Sequence, residues 1–165
     1  MEKQTAVVAD VMLVNKTKVA EDVGFELPSV AIQTADIQAM GTLSLPLVGL
    51  LDNMTMTITK IGTDKGYGTL SKLEKQDIEF RWVQDKVATD GSVSHKGCKA
   101  FLRAIPQELP GVSVAIGSAS ENQHTYTVTR YQLFYDGAEI LLVDKLNHIL
   151  KVNGKDYYKD IANLL

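Results

Sequence analysis

Two dipeptides, Asp136-Gly137 and Asn153-Gly154, constrain this chain more than any other feature, because each separates apolar stretches and so marks a strand reversal. Both central residues of a two-residue type I′ turn need positive φ, which Gly adopts freely and Asn or Asp tolerates. The stretches TVTRYQLFY (127–135) and AEILLV (138–143) therefore read as two arms of one hairpin. Residues 124 to 158 read as a three-stranded meander ahead of a short terminal helix.

Alternation of apolar and polar residues, the period of a half-buried strand, continues through the rest of the chain. Ala6 to Val14 predicts a first strand, and Glu26 to Gln38 a second, begun near Leu27-Pro28. Met54 to Ile61 predicts a third, with Thr55, Thr57 and Thr59 on one face. In IEFRWV, Ile78, Phe80 and Trp82 alternate with Glu79 and Arg81, and Ser94 to Ile105 is its partner across Asp90-Gly91. Pro106 and Pro110-Gly111 are expected to break the ladder, since proline has no amide hydrogen to donate. Residues 106 to 123, like 39 to 53, then read as loops. Thr63 to Leu73 is the one helix expected in the middle, capped by Thr63 or Asp64. About seven strands predict a mainly β fold: a β-sandwich or partly closed barrel flanked by one α-helix, plus a short C-terminal helix. The length suits a single domain over residues 1–165.

Composition excludes more than it assigns. A net charge of −3 with 22% charged residues offers no basic excess for gripping phosphates. One cysteine, Cys98, precludes an internal disulfide, fits a reducing compartment, and reads as a small buried hydrophobe. Asp10 interrupts the apolar N-terminus, so no signal peptide is expected, and no run approaches the ~18 to 20 apolar residues of a membrane span. The sequons Asn15-Lys16-Thr17 and Asn53-Met54-Thr55 carry no weight without a secretion signal.

No phosphate loop, nucleophile elbow or His-Glu-x-x-His helix occurs, so no catalytic residue is identified. His95, His124 and His148 lack ligand spacing and read as ordinary sheet or surface residues. Asp144, Asn147, Asn153 and Asp156 have oxygens suited to calcium but not the dense acidic loop that binds it, so turn and capping roles are expected. Trp82, Phe80, Tyr126, Tyr131, Phe134 and Tyr135 fall at strand spacing and read as packing residues. No metal or cofactor is expected.

Turn chemistry leaves one pattern over: the polar set Asp144, Asn147 and Asn153 beside Leu146, Ile149 and Leu150. With Asp136, Gly137, Val152, Gly154 and Asp156 it forms a spaced skeleton, Asp-Gly, an apolar stretch ending in Asp, Asn three residues on, then Val-Asn-Gly-x-Asp. This resembles the C-terminal signature of the major tail tube proteins of contractile-tailed phages and R-type phage-tail-like bacteriocins. Ala9 to Leu13, Leu27-Pro28, Met40-Gly41 and Gly49-Leu50 resemble the family's earlier markers. Two departures are Asn15-Lys16 where the family has Asn-Gly, and a glycine patch reduced to Gly41.

The resemblance implies six copies in a ring, and rings stacked into a tube whose lumen conducts DNA or ions without binding them specifically. It implies sheath, baseplate and tape-measure proteins as partners, assembly in the bacterial cytoplasm, and residence in a virion tail or secreted tail-like particle. Residues 39–53, 106–123 and the termini are expected at axial contacts. Two alternatives remain: a type VI-like injection tube, which would lack this signature, and a free-standing β-sandwich binding carbohydrate or peptide.

Overall fold

A computed structural model describes residues 2–21 and 23–165. In chain order, the strands and helices found among these residues are β1 (Lys3–Val14), β2 (Thr17–Glu21), β3 (Gly24–Glu26), β4 (Ile32–Gln38), β5 (Thr42–Leu51), β6 (Met54–Ile61), α1 (Lys65–Leu70), β7 (Gln76–Val87), β8 (Val93–Glu108), β9 (Glu121–Tyr135), β10 (Ala138–Asp144), β11 (Ile149–Val152), β12 (Lys155–Asp156) and α2 (Lys159–Ala162). One large antiparallel sheet runs β12-β11-β10-β9-β8-β7-β1-β2, with β6 and then β3 branching from β9, while β4 and β5 pair only with each other. The protein is mainly β, with two short helices, as expected; the sheet does not close into a barrel among the described residues.

Strand β9 makes the sheet fold over itself. Its first half, Glu121 to Val128, pairs with β6, and its second half, Arg130 to Tyr135, pairs with β10. Against β8, Arg130 faces Arg103 and Val128 faces Ala104, leaving Thr129 as the extra residue of a bulge. Such a bulge bends a strand and resets its alternation. Asn122, His124, Tyr126 and Val128 point inward before it, and Tyr131 after it. Without the extra residue every later side chain would face the wrong side. The branch through β6 and β3 folds back over β7, where Phe25 stacks on Phe80 with ring centroids 4.1 Å apart. Met12, Met54, Met56, Ile58, Ile78, Phe80, Leu102 and Tyr126 fill the core between these layers.

Helix α1 plugs one end of that core with Leu70. Asp64 caps it, its carboxylate accepting from the Gly66 and Tyr67 amides at 2.8 and 3.3 Å. The Leu70 carbonyl at its far end accepts from the buried Tyr126 hydroxyl at 2.6 Å. Such helix-end groups need partners when buried.

Several expectations are corrected. The helix spans Lys65–Leu70, not Thr63 to Leu73, because Gly66 and Gly68 weaken it and Gln76 already starts β7. The strand expected over Glu26 to Gln38 splits at Pro28 into β3 and β4. Pro106 does not end β8: β7 stops where Gln76 faces Ala104, so at Pro106 the strand pairs on one side only, with Tyr126, and a missing donor is tolerated. The loop after it is correspondingly shorter, and β8 runs to Glu108. Residues 42–51 are strand β5, not loop. The meander gains a fourth strand, β12.

Candidate assembly interface

The hairpin of β4 and β5 forms a sheet of its own, touching the body at its root, where Leu51 packs on the core. It has no ladder to the large sheet, and a two-stranded hairpin is marginal alone in water. Its sequence is nonetheless apolar: Ile32, Ile37, Leu43, Leu45, Val48 and Leu50 are 38 to 53% exposed, and Met40 at the tip is fully exposed. Ile37 faces Leu43 and Ala35 faces Leu45 across the ladder, so apolar side chains pair without any layer above them. Pro46 sits in β5 opposite Thr34, tolerable in a ribbon whose two strands each have an open side. Exposed large apolar side chains clustered on one hairpin make it a candidate interaction site.

Four of the twelve family-signature residues, Asp144, Asn147, Asp156 and Gly49, gather at the root of this hairpin. Asp144, 4% exposed, accepts the Asn147 amide at 3.2 Å and the Asn147 side-chain amide at 2.7 Å, which shapes the turn between β10 and β11. Arg130 lies 3.8 Å from the same carboxylate. That turn aims Lys145 at the hairpin, where its ammonium donates to the Leu51 and Asp52 carbonyls at 3.2 and 3.0 Å. Asp156 accepts the Tyr158 amide at 3.0 Å just before α2, and Tyr158 stacks on His148 at 5.3 Å. Gly49 meets α2 from the hairpin side: its φ is +108°, and a Cβ there would lie 2.8 Å from Ile161 Cδ1. A small cleft lined by Gly49, Leu51, Asp144, Lys145, His148 and Tyr158 remains between them.

The other signature residues lie elsewhere. Asp136 and Gly137, at φ 49° and 82°, form the β9–β10 turn, and the Asp136 amide is anchored on the Gly97 carbonyl at 2.9 Å. Asn153 and Gly154, at 51° and 82°, join β11 to β12 beside Val152. Pro28 is buried and Leu27 packs on the core, while Gly41, at φ +117°, shapes the hairpin tip. Asn15 and Lys16 make the same kind of turn as Asn-Gly would, both at positive φ, with Asn15 tied to β7 by bonds to the Asp77 backbone. No motif pointed to Lys145 or Tyr158; their only sequence signal was lying one residue after Asp144 and two after Asp156.

Two further open features flank the body. The outer edge of β1 over residues 3–10 has no partner among the described residues, since β2 covers only Val11 to Val14, and Val7 and Val8 are more than half exposed there. The segment after β8 leaves Val114 and Ile116 exposed. On the face of β7 and β8 away from the core, charges come as opposite pairs, Arg103 with Asp77 and Arg81 with Glu79.

The titratable groups inside serve packing. His124 is 1% exposed, with both ring nitrogens unpartnered; burial, and then the Lys60 ammonium, push its pKa down. Burial raises the Tyr131 hydroxyl to about 12, and raises the Cys98 thiol, away from thiolate reactivity. No cluster of three metal-ligating side chains occurs among the described residues.

A self-paired apolar hairpin and an open strand edge on a packed core are the features of a β protein able to associate through its strands. The chain belongs to the phage tail tube family: the family model described as phage tail tube protein FII matches residues 8–165. It is thus a structural subunit of a tail tube. Its fold is similar to that of a chain in the PVC sheath-tube complex, an extracellular contractile injection system in its extended state. That likeness has 15% identity and a TM-score of 0.51, covering 76% of this chain and 87% of the other. It is also similar to a chain of the PVC sheath/tube terminator in the extended state, with 15% identity, a TM-score of 0.53, and coverage of 79% and 96%. No curated protein matches the sequence.

Proposed function

We propose that this chain, as a single domain over residues 1–165, assembles into six-membered rings that stack into the inner tube of a contractile tail or tail-like particle. The observation that carries this reading is the β4–β5 hairpin, whose apolar side chains stay exposed and pair with no strand of the large sheet among the described residues. In the tube the hairpin seats on a neighbouring copy, and the open edge of β1 accepts a neighbour's strand. Edge pairing removes exposed backbone groups and joins subunits into a continuous wall. Ring contacts close by symmetry, while axial contacts repeat and let the tube grow.

The subunit is no enzyme and holds no cofactor; its role is mechanical. The sheath is its outer partner, a reading supported by the sheath-tube and sheath/tube complexes that contain its structural neighbours. Baseplate and tape-measure proteins cap and measure the tube, which assembles in the bacterial cytoplasm and resides in the particle. The lumen passes DNA or ions, and a net charge of −3 with paired surface charges gives phosphate little hold.

The test is negative-stain electron microscopy of the purified chain at rising concentration, with sedimentation velocity alongside. Hollow rings or tubes with sixfold end views are the expected result. A monomer at every concentration that binds a carbohydrate or peptide saturably would replace this reading with a free-standing binding module.

A further inference from the structure

We propose that the C-terminal signature acts as a latch: the Asp144–Asn147 turn and helix α2 clamp the root of the β4–β5 hairpin and set the direction in which it leaves the body. The inference rests on the hairpin being the assembly element, and adds that the hairpin's direction is set by contacts within its own subunit.

The hairpin joins the body through residues 27–31 and 52–53, and no ladder bond to the large sheet fixes its angle. The Asp52 amide donates to the Ala31 carbonyl at 2.9 Å, which closes the hairpin's base but does not orient it. Orientation comes from two contacts on the β5 side. Lys145 binds two successive main-chain carbonyls, Leu51 and Asp52, at 3.2 and 3.0 Å. Bonds from a charged donor are stronger than neutral ones, and two from one ammonium fix a direction. On the same strand, Gly49, at φ +108°, lets Ile161 Cδ1 approach to within 2.8 Å of where a Cβ would stand, with the Tyr158 ring in ordinary contact beside it.

Each contact is held from behind by a signature residue. Asp144 ties the turn carrying Lys145 through the two Asn147 bonds, and Asp156 holds the Tyr158 amide where α2 begins. His148, in the turn at φ 54°, stacks on Tyr158 and joins the two halves of the latch. Residues nearly a hundred positions apart in sequence thus serve one geometric purpose. Lys145 and Gly49 act as positioning residues through these contacts within the subunit.

The test compares Lys145→Met, which keeps the stem and removes the donors, with Lys145→Arg, which restores donors, and with Leu43→Asp on the hairpin itself. Tube formation is scored by sedimentation, and hydrogen exchange is followed on the dispersed chain. For Lys145→Met, the concentration needed for assembly rises about tenfold. Exchange quickens in residues 32–51 while core amides and Tm hold, and Lys145→Arg largely restores both. If Leu43→Asp abolishes assembly but Lys145→Met assembles like the wild type, the latch is wrong and the hairpin reading survives. If Leu43→Asp itself assembles normally, the hairpin reading fails and the latch with it. Faster exchange in 32–51 with unchanged assembly would likewise overturn the latch.

Discussion

The molecule contains two long hairpins with opposite fates. In β7–β8, joined across Asp90-Gly91, Ile78, Phe80, Ala100 and Leu102 are at most 3% exposed, because β6 and β3 fold over them. In β4–β5, the comparable apolar residues Ile37, Leu43 and Leu45 are 44 to 46% exposed, with no strand laid over them among the described residues. Both obey the same strand grammar. The first spends its apolar surface on folding; the second leaves it exposed, the surface we propose a neighbour covers.

The sharpest way to break that contrast is to damage each hairpin in turn. Phe80→Ala removes a fully buried ring and is expected to cost about 3–5 kcal/mol in denaturant unfolding. Leu45→Asp should leave monomer stability within about 0.5 kcal/mol, as for surface sites, yet abolish sedimenting assemblies. A destabilised monomer after Leu45→Asp would show that the hairpin belongs to the fold after all.

Asp144→Ala comes next in size. It strips the Asn147 amide of its buried acceptor, for an expected loss of about 1–3 kcal/mol by thermal or chemical unfolding. A wild-type Tm would deny the turn its structural role.

His124 gives a pH signature confined to the core side of the comparison. Its pKa is depressed in the folded state, so the unfolded chain binds more protons below the ordinary value of 6.5. Its contribution to stability is therefore full above pH 6.5 and falls as the pH drops below it, down to the folded pKa. His124→Leu should flatten that part of the Tm–pH curve and raise Tm at pH 5 more than at pH 8. An unchanged slope would mean the ring is hydrated or partnered in solution.

The smallest effect concerns a turn. Lys16 stands at φ 68°, a conformation that costs a side chain roughly 1–2 kcal/mol, so Lys16→Gly should gain up to about 1 kcal/mol after its own entropy cost. A loss in unfolding free energy would indicate that Lys16 makes a compensating contact.

Much of the fold was legible because turns and alternation are local. Asp136-Gly137 and Asn153-Gly154 adopt the positive φ their chemistry demands, and Met54 to Ile61 shows its threonines on the less buried face. Pro106 was read as a strand breaker and residues 42–51 as loop, yet Pro106 and Pro46 both sit in strands at points where one side is unpaired. That depends on where a neighbouring strand stops, which no local pattern records. The convergence of Gly49 on α2, and of Lys145 on Leu51 and Asp52, is likewise tertiary, so the signature could be recognised without its geometry.

The most direct measurement is hydrogen–deuterium exchange on dispersed and assembled chains under the same buffer. The expected result is new protection concentrated in residues 32–51 and along residues 3–10, with the β7–β8 core unchanged. Assembled tubes in which the hairpin exchanges as fast as in the monomer, while protection appears elsewhere, would contradict the claim that its uncovered apolar surface is what holds the subunits together.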